Sequence, residues 1–196
     1  MNKRFEKAVL GLRPTWHAVS RYYFCMSPVN LVMCGFAWDR TQGGVYIWRF
    51  AHPLFETKPL TLSFGLRLPY PEDFLPIAQG GEEAAASEFV SRVAPHESAT
   101  SRLSEPAEFL AHIEALNSFR NPWVTRGYAL TLIMLGRMSD AAAQLDLLLG
   151  GNYGDGIPGF KEEVVGVARA LSSDPGALVS VLRERAVENK RALGLV

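Results

Sequence analysis

Residues 150–159 read GGNYGDGIPG, and within them Gly154-Asp155-Gly156-Ile157-Pro158-Gly159 spells G-x-G-x-x-G. Read as a dinucleotide cradle, this stretch demands a buried strand before it, a helix after it, and hence a parallel α/β fold. Its neighbours point elsewhere. Ser139 to Leu149 has helical apolar spacing, and Phe160 to Leu171 has it again, so the segment joins helix to helix. Five glycines in ten residues, with Pro158 just before the second helix, suit a helix end, a sharp reversal and a new helix start. Asp174, fifteen residues after Gly159, serves better as a helix cap beside Pro175 than as a ribose ligand.

With the cradle set aside, the fold class follows from a change of texture along the chain. Fourteen of the 21 aromatic residues lie in the first 75 positions, together with the clearest alternation of apolar and polar residues, Leu60-Thr61-Leu62-Ser63-Phe64-Gly65-Leu66-Arg67-Leu68. That period of two predicts a strand with one wet face. Val29 to Trp38 and Val45 to Phe50 predict two more, joined by the hairpin-length connection Asp39 to Gly44, and Ser20 to Met26 a fourth that stops at Pro28. A short amphipathic helix over residues 2–12 leads them.

After about residue 81 the period becomes helical. Helices are predicted over Glu83 to Val93, Ala107 to Asn117 behind a Ser104 cap, Trp123 to Leu135 behind Asn121-Pro122, Ser139 to Leu149, Phe160 to Leu171 and Gly176 to Ala192. Proline-, glycine- and serine-rich stretches, Pro69 to Gly81 and Ala94 to Arg102, read as flexible. The expected architecture is α+β: an antiparallel sheet of three or four strands over residues 1–81, followed by five or six helices over 82–196 packed on it as hairpins.

Composition describes an ordinary globular chain: 196 residues, 48% hydrophobic and 20% charged, with 20 basic residues against 20 acidic. The balance predicts no nucleic-acid and no membrane partner, although residues 76–121 carry three basic against seven acidic side chains. Ala8 to Leu12 is too short for a signal-peptide core, so a cytoplasmic setting is expected. Five lysines against fifteen arginines, with abundant alanine, suggest a GC-rich bacterial genome. Cys25 and Cys34 lie in apolar sequence and are expected to be buried thiols. The histidines at 17, 52, 96 and 112 lack metal spacing, and no nucleophile elbow or paired-acid motif stands out, so no metal, cofactor or catalytic set is assigned.

Three residues are candidate ligand contacts. Arg49 and Arg67 fall on the less apolar parity of their strands and, if those strands are neighbours, would form an anion patch beside Thr61 and Ser63. His52 follows Tyr46, Trp48 and Phe50 by parity and would stand at the mouth of an aromatic pocket. Both parities of the aromatic strands are largely apolar, which predicts a sheet covered on both faces or one with a face left for a partner.

Tyr128 to Leu145, YALTLIMLGRMSDAAAQL, resembles one tetratricopeptide helical hairpin across about residues 122–150. Ala129 stands where the first helix approaches its neighbour, Gly136 in the turn, and Ala141 followed by Leu145 as the small-then-large pair of the second helix. The register sets Thr125 at the family's tryptophan position, Leu148 at a small-residue position and Tyr153 at the closing proline, and no second copy follows. An isolated hairpin packed on the sheet is the expectation, because repeat arrays need several units to bury their cores. The resemblance implies peptide or protein binding. The functional expectation is therefore a non-enzymatic interaction or accessory protein of the adaptor or immunity type. The alternative is a small-molecule-binding protein or unrecognised enzyme with a pocket between sheet and helices.

Overall fold

The structure, a computed structural model, describes residues 3–20, 23–57, 64–76, 81–151 and 156–195, without the side chains of residues 20 and 40. Helix α1 (Lys3–Leu12) precedes strands β1 (Trp16–Ser20), β2 (Tyr23–Met26), β3 (Val32–Arg40), β4 (Gly44–Pro53), β5 (Gly65–Arg67) and β6 (Phe74–Pro76). Helices α2 (Gly81–Val93), α3 (Glu97–Ser101), α4 (Pro106–Leu116), α5 (Pro122–Met134), α6 (Met138–Gly150), α7 (Phe160–Ser173) and α8 (Pro175–Ala192) follow. The α+β class is as expected.

The sheet is larger than the three or four strands expected. It runs β1-β2-β3-β4-β5, each neighbour antiparallel, with β6 also pairing β4. Gly44 to Tyr46 pair with β6 and Trp48 to Phe50 with β5, so two three-residue strands share one edge of β4. Strand β1 and strand β6 were not anticipated: the first offers only five residues, and the second lies inside the proline-rich stretch expected to be flexible. Of the predicted strand over residues 60–68, the described part forms β5, and residues 58–63 lie outside the described residues. Ala94 to Arg102 is also ordered, as a 3-10 turn at 94–96, helix α3 and the start of a second 3-10 turn.

Alternation along the strands sends side chains to two separate cores. On one face Phe24, Met26, Phe36, Trp38, Val45 and Ile47 pack beneath α1 and α2, meeting Phe5, Val9, Ala86, Phe89 and Val93. Rings crowd there at tilted and edge-on angles: Phe5 lies 5.8 Å from Phe89 and 5.9 Å from Trp38, and Phe24 lies 5.6 Å from Phe89. On the other face Cys25, Met33, Ala37 and Phe50 join Phe64, Phe109, Ile113, Val124, Leu130 and Leu182 from the later helices. Both faces are thus covered, and helix α2, though it opens the helical half of the sequence, returns to the α1 side.

Local signals account for most helix ends. Asn121 Oδ1 accepts from Trp123 N at 3.0 Å, and Asp174 Oδ1 accepts from Ala177 N at 2.9 Å, each before a proline in the first turn. Two expected caps are displaced. Ser104 is buried in a 3-10 turn and Glu105 takes the cap position of α4, while α6 starts at Met138, which leaves Ser139 inside the helix. The glycine-rich stretch ends α6 at Gly150 and delivers α7 through Gly159, whose φ of +74° is a conformation that disfavours any side chain. Helix α6 stands where a dinucleotide cradle needs a strand, so the segment joins helix to helix; residues 152–155, with Gly154 and Asp155 of the motif, lie outside the described residues.

Candidate functional site

A cleft of about 260 Å³ opens between α5, α7, α8 and the segment that follows β4. Its polar residues are Glu56, Thr57, Arg126, Glu163 and Arg185, and Leu130, Gly166, Val167, Ala170, Leu178 and Val181 supply the apolar walls. At its base lies Arg126, the single charged residue of α5 (PWVTRGYALTLIM) and only 2% exposed.

Burying a guanidinium costs several kcal/mol unless its hydrogens and charge are matched. Here they are matched from three directions. Glu56, also buried, faces Arg126 through both carboxylate oxygens: Arg126 Nε donates to Oε1 at 3.4 Å, and Nη2 pairs closely with Oε2. Nη1 pairs closely with Glu163 Oε2 from the first turn of α7. Nη2 donates to Thr57 Oγ1 at 2.9 Å, and that hydroxyl donates to Glu163 Oε2 at 3.0 Å. The guanidinium carbon also lies 4.7 Å from the Trp123 ring centre and 5.3 Å from that of Phe160. Those two rings meet edge-on at 5.2 Å.

The chain reaches this arrangement because α8 holds the segment after β4. Asn189 Nδ2 donates to the Leu54 carbonyl at 2.6 Å and to the Glu56 carbonyl at 2.9 Å, while Glu56 N closes a turn on Pro53 O at 3.2 Å. Glu56 is thereby driven into the interior. Burial pushes its carboxyl above the usual range, and the charge and hydrogen bonds of Arg126 pull the other way. Next to Arg126, Gly127 gives the close approach that lets α5 lie on Phe64: a Cβ there would stand 2.4 Å from the Phe64 ring.

The two remaining cleft charges are less engaged. The side chain of Glu163 is 38% exposed, and its described partners all bond Oε2. Arg185 makes one long bond, 3.4 Å, from Nη1 to the Phe55 carbonyl, and forms no ion pair with any described residue.

None of the three residues expected from the sequence lines this cleft. The β4–β5 register sets Arg49 opposite Leu66 and Arg67 opposite Trp48. Directly opposed residues share a face, so the two arginines point to opposite faces and do not form one anion patch. Arg67 lies over the rings of Tyr46 and Trp48, at 3.7 and 5.1 Å from their centres. Arg49 is partly buried, which works against its charge. His52 is 2% exposed, paired with Met33 across the β3–β4 ladder, and so sits within the core rather than at a pocket mouth. Thr61 and Ser63 lie outside the described residues.

Sequence reasoning missed Glu56, Arg126 and Glu163. One signal was present: a lone arginine in an apolar thirteen-residue helix demands a buried partner. Glu163 had an adequate local explanation as an acid in the first turn of a helix, and nothing near Glu56 marks it as buried.

Cys25 and Cys34 are free and buried, as expected, and burial raises both thiols, that of Cys34 to about 12. Buried His112 donates from Nε2 to the Phe64 carbonyl at 3.1 Å; burial, aided by the charge of Arg49, lowers its pKa below the ordinary 6.5. Among the described residues no group of His, Cys, Asp or Glu is placed to hold a metal ion, and no helix is long and apolar enough to cross a membrane. In comparisons with known proteins, no family model, no curated protein and no solved structure matched the chain.

Proposed function

We propose that this chain is a binding protein whose small-molecule site is the cleft between α5, α7, α8 and the segment after β4. The observation that carries the reading is the buried Arg126 network: Glu56, Thr57 and Glu163 are held in place by Arg126 beside aliphatic walls. Pre-organisation of this kind lowers the ordering cost of binding. The same network argues for holding a ligand rather than transforming it, because the Glu56 carboxylate has both oxygens occupied by Arg126 and is a poor candidate for moving protons. A thermal-shift screen with metabolites tests the reading, since a ligand at a hundred times its dissociation constant adds about 2.7 kcal/mol of stability. Val181→Trp, which fills the cleft from its half-exposed rim, is expected to remove every genuine shift. Hits that persist in that variant would refute the assignment.

A second reading, protein docking on the helical half, draws on Leu147, Val165 and Val181, which stay 59%, 40% and 48% exposed on the consecutive helices α6, α7 and α8. It agrees with the tetratricopeptide-like resemblance of the α5–α6 pair and with an adaptor or immunity-type role. A partner retained by the unaltered chain and lost on Leu147→Asp, with small-molecule shifts intact, would favour it.

A further inference from the structure

We propose that the ligand of this cleft is a small zwitterion, an ammonium and a carboxylate carried on a short branched aliphatic body, which is the chemistry of a free apolar amino acid. The proposal rests on the cleft being a ligand site and adds the class of molecule it takes.

Charge balance comes first. The lining holds two cations, Arg126 and Arg185, and two anions, Glu56 and Glu163. Arg126 is shared by Glu56 and Glu163, which leaves the Arg185 guanidinium without a carboxylate among the described residues and one oxygen of Glu163 turned to the ligand. The Arg185 guanidinium has a single long bond to a carbonyl and no carboxylate among the described residues, although its planar fork suits a carboxylate held by two parallel hydrogen bonds. Glu163 accepts its bonds from Arg126 and Thr57 at Oε2 and none from described residues at Oε1, so one oxygen remains to receive an N–H donor. An acid alone would pair with Arg185 and leave Glu163 facing a second negative charge. An amine alone would leave Arg185 as it is now. A zwitterion answers both.

Size and wall chemistry then narrow the body. A volume of about 260 Å³ falls below the roughly 300–1,000 Å³ usual for drug-sized ligands, which points to a small molecule of about the size of a single amino acid or its close analogue. Val167, Ala170, Leu178 and Val181 line it with aliphatic groups that favour a branched hydrocarbon over a polar or charged side chain.

The test titrates the full chain with four probes sharing one skeleton: leucine, 4-methylpentanoate, 3-methylbutylamine and 3-methylbutan-1-ol. The backbone amide signals of Leu130, Val167 and Ala170 are followed by NMR. Leucine is expected to bind at least about tenfold more tightly than the acid or the amine. Arg185→Gln is expected to cost leucine and the acid about tenfold while leaving the amine unchanged, and Glu163→Gln to do the converse. If the acid or the amine matches leucine, or if the alcohol alone moves the three amides, the cleft is a ligand site and the zwitterion class is wrong. If none of the four moves them, the zwitterion class is wrong, and the thermal-shift screen decides the small-molecule reading by itself.

Discussion

The two faces of the sheet solve the same problem with different chemistry. Beneath α1 and α2 the core is apolar and aromatic, and its rings are interlocked around Phe5, Phe24 and Phe89. Facing α4 to α8, the core is just as buried but carries a guanidinium and a carboxylate inside it and a cleft beside them. The first face owes its stability to area removed from water, which tolerates volume-conserving change. The second depends on partners that must all be present at once, because an unmatched buried charge costs more than the pair contributes. A surface under that constraint is where a function is most readily sought.

Four measurements would break or sharpen this contrast. The largest effect is expected from Arg126→Leu, which strands Glu56 in the interior and should cost about 3–5 kcal/mol in urea unfolding. Adding Glu56→Leu in the same chain should recover much of the loss. If the double substitution is no better than the single one, the pair is not the organising feature of that face. Phe89→Ala on the aromatic face should also cost about 3–5 kcal/mol, through lost burial and a residual cavity. Unlike Arg126→Leu, it should not be rescued by removal of any single partner. A loss below about 1 kcal/mol would mean that this core closes over the gap, against the packing described.

Gly127→Ala should cost about 1–3 kcal/mol, because the added carbon meets the Phe64 ring at 2.4 Å and α5 must move away from the sheet. A neutral result would show that Phe64 swings aside freely. The smallest effect concerns pH. His112 is harder to protonate folded than unfolded, so its contribution is fully present above about pH 6.5. It declines as the pH falls from there towards the depressed folded value, while the unfolded chain takes up the proton first. In His112→Gln, which keeps a donor for the Phe64 carbonyl, the stability profile should be flatter across that window. An unchanged slope would assign the acid sensitivity to other groups.

Much of the secondary structure was legible because it depends on short-range chemistry. The Asn121 and Asp174 caps, the prolines in the first turns of α5 and α8, and the period of the apolar residues place those helices within a residue or two. Strands β1 and β6 were harder, because elements of three to five residues hold their shape through pairing with a neighbour rather than through their own sequence. The same dependence misplaced the candidate site. Arg49 and Arg67 share a local pattern, and only the pairing register shows that they face opposite ways.

By itself, then, the sequence determined the α+β class, the approximate helix ends and the reading of GGNYGDGIPG as a reversal between helices, since each rests on residues within about one turn of one another. Tertiary structure alone decided which face each strand residue serves, that α2 returns to the α1 side, and that positions 56, 126 and 163 converge. The physical reason is separation along the chain. Arg126 stands 70 residues from Glu56 and 37 from Glu163, and no local propensity links them. Their meeting follows from the packing of α5, α7 and α8 against the end of β4, where a buried cation had to be matched.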